Sequence, residues 1–102
     1  MARIDYNAYR KLVDEIEKLS RVKNRAYGSD GLTAFGATGC IVRLYDKVCR
    51  VKNLVQQGRT KNGDESIEDS LVDMVNYALY AVLLNRGQLI ESDKIKRRPR
   101  KK

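Results

Sequence analysis

Apolar residues recur at intervals of three and four in three segments of this chain, which is the spacing of one face of an α-helix. Asp5 suits the N-terminal cap of the first helix, while Gly58 and Gly87 are suited to ending the second and third. No segment alternates for long enough to predict a strand. The pattern therefore predicts an all-α fold, a small antiparallel three-helix bundle. Its helices are expected at about residues 5–22, 38–57 and 64–86.

The two connections between these helices differ in character. Residues 23–39 hold four of the seven glycines and lack periodicity, so they are predicted to form a long glycine-rich loop. The second connection contains Asn62-Gly63, a strong turn signal. Because both flanks of this turn have a helical period, a β-hairpin is not expected there.

The third helix carries a polar stripe within an otherwise apolar segment. Five side chains share an arc of roughly 80° on a helical projection. Carboxylates in such a setting are costly unless they are paired, hydrogen-bonded or bound to a metal. The stripe is therefore predicted to line a polar cleft. Its members are Glu65, Asp69, Asp73, Asn76 and Tyr80.

The second helix carries a complementary stripe that is mostly basic, and a short connection should place it antiparallel to the third helix. Two interpretations remain open. The facing charges form an interhelical salt-bridge network, or they form a cleft in which carboxylates hold Mg²⁺ and basic groups hold phosphate oxygens. The members of this second stripe are Arg43, Asp46, Lys47, Arg50 and Asn53.

Composition narrows the classes of function. The net charge is +8, but residues 91–102 hold seven bases and two acids, so most of the excess lies in this basic tail. The tail is predicted to be disordered, leaving residues 1–90 as a single domain. There is no histidine, which excludes histidine-based catalytic triads and histidine-containing zinc sites.

The two cysteines and the absence of long apolar runs indicate where in the cell the protein is expected. Cys40 and Cys49 are nine residues apart on one predicted helix and fall on opposite faces, so they cannot pair within it. No signal-peptide pattern and no apolar run near 18 residues occurs. The expectation is a cytoplasmic protein with free thiols and no membrane association.

Several motifs resemble those of a known family. The segments are KNRAYG, AFGATGCIVRLYDKVCRVKNL and DESIEDSLVDMVNYALYAVL, and together they span about residues 20–86. They resemble, in the same order, a phage and bacterial family called the first nucleotide-modification-associated domain. The resemblance implies a nucleotide ligand and, for a phage-encoded protein, the cytoplasm of the bacterial host.

That family is similar, more distantly, to the all-α nucleoside triphosphate pyrophosphatases of the MazG and dimeric dUTPase type. Those enzymes are Mg²⁺-dependent helical oligomers that cleave between the α and β phosphates. The resemblance matches Asp46 to a carboxylate of their first metal motif and brings Asp69 and Asp73 near the second. Two departures stand out: Cys49 and Arg50 occupy the region of a second helix-two carboxylate, and Ser70 stands at an intervening ligand position.

The leading hypothesis is a Mg²⁺-dependent nucleoside triphosphate pyrophosphohydrolase that works as a homo-oligomer, either a dimer or a tetramer. Asp69 and Asp73 are the candidate catalytic residues. The candidate metal ligands are Glu65, Asp69, Asp73 and Asp46. The candidate phosphate-binding residues are Lys23, Arg43, Lys47 and Arg50. The candidate base- or sugar-binding residues are Asn24, Tyr27 and Asn76.

Two other classes remain as alternatives. A non-catalytic protein that senses or sequesters a nucleotide would explain the missing carboxylates and the extra arginines. A nucleic-acid-associated protein would instead use residues 94–102, where bases that neutralise phosphates give weak, sequence-independent binding.

Overall fold

The computed structural model of the chain describes residues 1–27, 34–63 and 65–88. The fold is all-α, as predicted. None of the described helices combines the length and apolar character needed to cross a membrane. The elements, in chain order, are α1 (Tyr6–Tyr27), α2 (Gly36–Gln56), β1 (Lys61–Asn62), β2 (Glu65–Ser66) and α3 (Ile67–Asn85).

The predicted caps are present at the helix ends. The Asp5 carboxylate accepts hydrogen bonds from the backbone N–H groups of Asn7 (3.0 Å) and Ala8 (3.1 Å) at the start of α1. Gly58 and Gly87 follow the ends of α2 and α3 with φ angles of 66° each, in the left-handed region that closes helices. Local capping chemistry therefore sets these three boundaries.

Both ends of the loop predicted for residues 23–39 are helical. Helix α1 continues to Tyr27, because residues 23–27 contain neither glycine nor proline to oppose another helical turn. Helix α2 already begins at Gly36, whose φ of 63° suits glycine. Residues 28–33 of the predicted loop, and the predicted disordered tail at 91–102, lie outside the described residues.

A small β-hairpin forms in the connection between α2 and α3, so the prediction that none would form there was wrong. Lys61 pairs with Ser66 and Asn62 with Glu65 in antiparallel register. Gly63 directly follows β1 with φ of 64°, a left-handed conformation that glycine adopts readily in hairpin turns. Two-residue strands are too short to show alternation in the sequence. The hairpin also shifts the start of α3, so Glu65 lies on β2 before the helix.

Helices α2 and α3 form the main helix pair. Lys47 contacts both Asp73 and Glu65, whereas Arg50, farther along α2, contacts Glu65. The two helices therefore run in opposite directions, as predicted. Helix α1 packs more sparsely, meeting α3 through the hydroxyl contact of Ser20 with Tyr80 and the Lys23–Asp73 ion pair.

Few side chains of the described residues are fully buried. The buried apolar residues are Ile16, Cys40 and Leu54, and the buried polar ones are Ser70 and Asn76. Large apolar side chains remain partly exposed on all three helices. Tyr9 on α1 keeps 57 % of its surface exposed, Ile41 on α2 57 % and Leu79 on α3 50 %.

Candidate functional site

The candidate site is centred on the Lys47 ammonium, which α2 places between two carboxylates. Its Nζ lies 2.9 Å from Asp73 Oδ2 and 2.9 Å from Glu65 Oε2. Only 14 % of the Lys47 side chain is exposed. These contacts form an interhelical salt-bridge network, which is one of the two interpretations of the facing stripes. We call Lys23, Lys47, Arg50, Glu65 and Asp73 the charged cleft.

Glu65 is held from three directions. Lys47 donates to both of its oxygens, at 2.9 and 3.1 Å, and Arg50 Nη1 donates to Oε1 at 3.2 Å. The hydroxyl of the fully buried Ser70 donates to Oε2. The Ser70 hydrogen bond, reinforced by Lys47 and Arg50 and partly opposed by burial, lowers the pKa of Glu65. Glu65 is therefore ionised and fixed at neutral pH.

Asp73 links all three helices. Lys23 of α1 donates to its Oδ1 at 2.8 Å, and Lys47 of α2 lies beside Oδ2. Burial opposes ionisation of Asp73, but the two lysines outweigh it and leave the pKa lowered. For Lys47, burial disfavours the ammonium, but Asp73 and Glu65 outweigh it and raise the pKa. The charged forms thus stabilise one another.

Asp69 is hydrogen-bonded through its side chain to Ser66 at the start of α3, and not to the side chains of the charged cleft. Its Oδ2 accepts a hydrogen bond from the Ser66 backbone N–H at 2.9 Å, and its own N–H donates to Ser66 Oγ at 3.0 Å. This reciprocal pair is a capping box at the start of α3. The backbone hydrogen bond from Ser66, followed by that of the hydroxyl, lowers the pKa of Asp69. Its carboxylate is exposed and lies one helical turn before Asp73.

A groove of about 510 Å³ opens between α1 and the first half of α3, next to the charged cleft. Lys23, Glu65, Asp69 and Asp73 line it at one end. Apolar side chains from both helices form much of the remaining wall, together with two further carboxylates. These apolar and acidic residues are Leu12, Ile16, Leu19, Val72, Glu15 and Glu68.

Other predicted site residues lie elsewhere. Asp46 faces a different pocket, which it shares with Arg50 and Asn53. Asn24 lines a third pocket beside Ser20 and Arg25. Within the described ranges, neither residue forms a hydrogen bond or ion pair with the charged cleft. Their predicted roles as metal ligand and base contact stay predictions.

Three further predicted site residues, one on each helix, do not belong to the charged cleft. Asn76 is 5 % exposed, and its side-chain amide forms no hydrogen bond with another described residue. Arg43 lies on the surface of α2, one turn before Lys47, and its charge lowers the pKa of Cys40, which burial raises more strongly. Tyr27 is the last residue of α1.

The carboxylates that converge are fewer than predicted. Among the described residues, no three acidic or cysteine side chains come close enough together to hold a metal ion. Glu65 and Asp73 do converge, because each contacts the same Lys47 ammonium. The charged cleft therefore offers two carboxylates around one cation-sized position.

Sequence reasoning missed three parts of the site. Ser66 and Asp69 fit the pattern Ser-x-x-Asp that signals a capping box before an apolar helix. Nothing in the sequence marks Ser70 as the donor to Glu65, because that contact depends on the hairpin that precedes α3. Glu15 on α1 lines the groove only because α1 packs against α3.

Comparison with known families agrees with the motifs of the three helices. The family model described as Nucleotide modification associated domain 1 matches residues 23–84, from Lys23 through most of α3. No curated protein and no solved structure matches the chain. The matched range contains every residue of the charged cleft and more than half of the chain. The chain therefore belongs to the family of nucleotide modification associated domain 1.

Proposed function

We propose that the charged cleft binds the phosphates of a nucleoside triphosphate and that the protein is a Mg²⁺-dependent pyrophosphohydrolase. The observation that carries this proposal is the position of the Lys47 ammonium between the carboxylates of Glu65 and Asp73. One point in the cleft is thus built to hold a cation against two acids, next to an open groove of nucleotide size.

The basic side chains supply the contacts to phosphate. Lys23, Lys47 and Arg50 come from two different helices and converge on Asp73 and Glu65, the two carboxylates that line one end of the groove. An ammonium and a guanidinium both form strong charge-assisted hydrogen bonds with phosphate oxygens. Lys23 and Arg50 are still 46 % and 42 % exposed, so an entering ligand can reach them.

Glu65 and Asp73 are the two carboxylates that would hold a single magnesium ion, at the position where the Lys47 ammonium lies between them. Mg²⁺ in nucleotide enzymes commonly takes one or two carboxylates and completes its octahedron with phosphate oxygens and water. The lowered pKa values of Glu65 and Asp73 keep both groups ionised, as a ligand requires. When bound, the ion would neutralise charge that develops on the phosphates during cleavage.

Asp73 and Asp69 are the candidates for positioning the water that attacks the phosphate. Either carboxylate can accept a hydrogen bond from an attacking water and hold it in line with a phosphorus atom. Asp73 is the better placed, because it lies inside the charged cleft, whereas Asp69 also caps α3. Asp69 nevertheless lines the same groove and remains a second candidate.

A non-catalytic nucleotide-binding protein is the second candidate function. The observation in its favour is that Lys23, Lys47 and Arg50 already neutralise the two converging acids. With Asp69 engaged by Ser66, the site is electrostatically satisfied without a metal ion. Such a protein would sense or sequester its nucleotide unchanged.

One experiment separates these functions. The purified protein is incubated with ribo- and deoxyribonucleoside triphosphates, with Mg²⁺ or with EDTA, and the products are separated by chromatography. Monophosphate plus pyrophosphate formed only with Mg²⁺ supports the enzyme, and Asp73→Asn should abolish it. Asp14→Asn, on the exposed surface of α1, is the matched control and should retain full turnover.

A thermal shift with fully recovered nucleotide supports the binding protein instead. Turnover that persists in both Asp73→Asn and Glu65→Gln would contradict the proposed catalytic site. If no nucleotide changes the melting temperature and none is cleaved, both proposals fail. The charged cleft would then be a purely structural link between the helices.

We also propose that the protein is a homo-oligomer. The partly exposed apolar side chains on all three helices support this, because a bundle that buries so few residues gains little from its own core. Association would cover those surfaces and add stability that depends on concentration. Light scattering coupled to size exclusion would distinguish a monomer, a dimer and a tetramer.

Weak nucleic-acid binding through residues 94–102 stays a prediction, since these residues lie outside the described ones. The test is the salt dependence of binding to an unrelated duplex, compared between the full chain and a chain ending at residue 90. Binding that depends on the tail and falls steeply with salt supports it.

A further inference from the structure

The groove between α1 and α3 contains two kinds of carboxylate. Glu65, Asp69 and Asp73 all have hydrogen-bond partners within the protein. Glu15 and Glu68 line the same groove, yet neither is hydrogen-bonded or ion-paired to another residue in the described part of the chain. Two acceptors are therefore left open beside an apolar wall.

The order of residues along α1 gives the groove a direction. Lys23 marks the phosphate end through its contact with Asp73. Leu19 and Ile16 follow one and two turns back on the same helix and provide apolar surface. Glu15 lies eight residues before Lys23, which is about 12 Å along the axis. Along α1 the groove is thus lined first by a basic residue, then by apolar residues and then by an acidic residue, over roughly the length of a nucleotide.

We propose that the groove holds the base of the bound nucleotide and that Glu15 selects guanine. This inference rests on the proposed binding of phosphate at the charged cleft. A base lying against Ile16 and Leu19 would bring its polar edge to Glu15, which precedes Ile16 on α1 and is exposed. Glu15 is the carboxylate at that distance from Lys23 along α1, whereas Glu68 lies on the other helix, five residues before Asp73.

The selectivity follows from hydrogen-bonding chemistry. An ionised carboxylate accepts hydrogen bonds and donates none. Guanine alone among the common bases presents two neighbouring donors, N1–H and the 2-amino group, with no acceptor between them. Adenine and cytosine place a ring nitrogen acceptor beside their amino group, and uracil and thymine place carbonyls beside N3–H. A carboxylate repels each of those acceptors.

The test uses non-hydrolysable triphosphate analogues of guanosine, inosine and adenosine, with pyrophosphate as a probe that lacks a base. Affinities are measured by titration calorimetry. A good bidentate contact to a base gives at least about fivefold discrimination, so the guanosine analogue should bind that much more tightly than the other two. Inosine is the sharpest comparison because it lacks only the 2-amino group.

Three variants then locate the selecting residue. Glu15→Gln should remove the preference for guanosine over inosine while leaving pyrophosphate affinity unchanged. Asp14→Asn, the neighbouring exposed acid on α1, and Glu68→Gln, the other open acid of the groove, should both keep the preference. Loss of the preference in Glu68→Gln alone would overturn the assignment to Glu15.

The outcomes also separate this inference from the proposed function. If pyrophosphate and all three analogues bind with no preference among bases, phosphate binding stands and guanine selection is wrong. If neither pyrophosphate nor any analogue binds, the proposed function itself fails, and the guanine inference fails with it. A preference for guanosine that survives Glu15→Gln also overturns the role given to Glu15.

Discussion

Lys47 Nζ lies 2.9 Å from Asp73 Oδ2, and each of these side chains is only 14 % exposed. The pair joins α2 to α3 in a partly buried environment, where a charge without its partner is costly. Because Glu65 also contacts Lys47 and Lys23 also contacts Asp73, the pair is the centre of the charged cleft. The strength of the Lys47–Asp73 ion pair should therefore affect both the stability of the folded protein and the binding of a ligand in the charged cleft.

Replacing Lys47 with methionine should destabilise the protein. The change keeps much of the aliphatic volume but leaves Glu65 and Asp73 facing each other without a cation between them. We expect a loss of about 2 kcal/mol in the free energy of unfolding, below the range for a fully buried pair. Urea denaturation followed by circular dichroism measures this loss. Lys52→Met, at an exposed position on the same helix, should change stability little.

The same variant tests the cation-sized position. With the ammonium removed, Glu65 and Asp73 should bind Mg²⁺ more readily, so Mg²⁺ should raise the melting temperature of Lys47→Met more than that of the parent protein. An equal response of the two proteins to Mg²⁺ would argue against these carboxylates as metal ligands.

Stability should fall as the pH decreases into the acid range. The pKa values of Glu65 and Asp73 are lowered in the folded state from ordinary values of 4.5 and 3.8. Their contribution is thus complete above those ordinary values and is lost as the pH falls through the lower folded-state values. Melting temperatures across that range should show a steeper acid decline for the parent protein than for Glu65→Gln. Parallel curves would contradict the contribution of Glu65.

The capping box at the start of α3 should be worth a measurable amount of stability. Ser66→Ala removes the hydroxyl that accepts from the Asp69 N–H, and losing an N-cap of this kind typically costs about 1 kcal/mol. Thermal denaturation would detect it. Ser66→Thr retains a hydroxyl and should recover most of the difference, whereas an equal loss in both variants would point to packing.

The attachment of α1 to α3 should depend in part on the hydroxyl pair of Ser20 and Tyr80. Tyr80→Phe removes the contact with Ser20 and leaves the aromatic ring against Tyr77. Because α1 otherwise packs sparsely, we expect faster amide hydrogen exchange in α1 with little change in α2. Tyr77→Phe is the control, and exchange that rises equally in both variants would contradict a specific role for the Ser20 contact.

The sequence predicted the parts of this structure that depend on helical periodicity. The spacing of Asp73 on α3 and of Lys47 on α2 was enough to place them on facing stripes, and the structure brings them into contact. The hairpin escaped prediction because each strand has two residues. The groove escaped it because the packing of α1 on α3 is a tertiary property that periodicity does not determine.

Glu65 reaches the charged cleft from β2, so its position depends on strand register and not on the helix that follows. Successive residues of a strand point to opposite sides, and one extra residue in the hairpin would turn this carboxylate away from Lys47. The connection between α2 and α3 is consequently constrained in length. A one-residue insertion that shifts this register should therefore weaken the contact of Glu65 with Lys47.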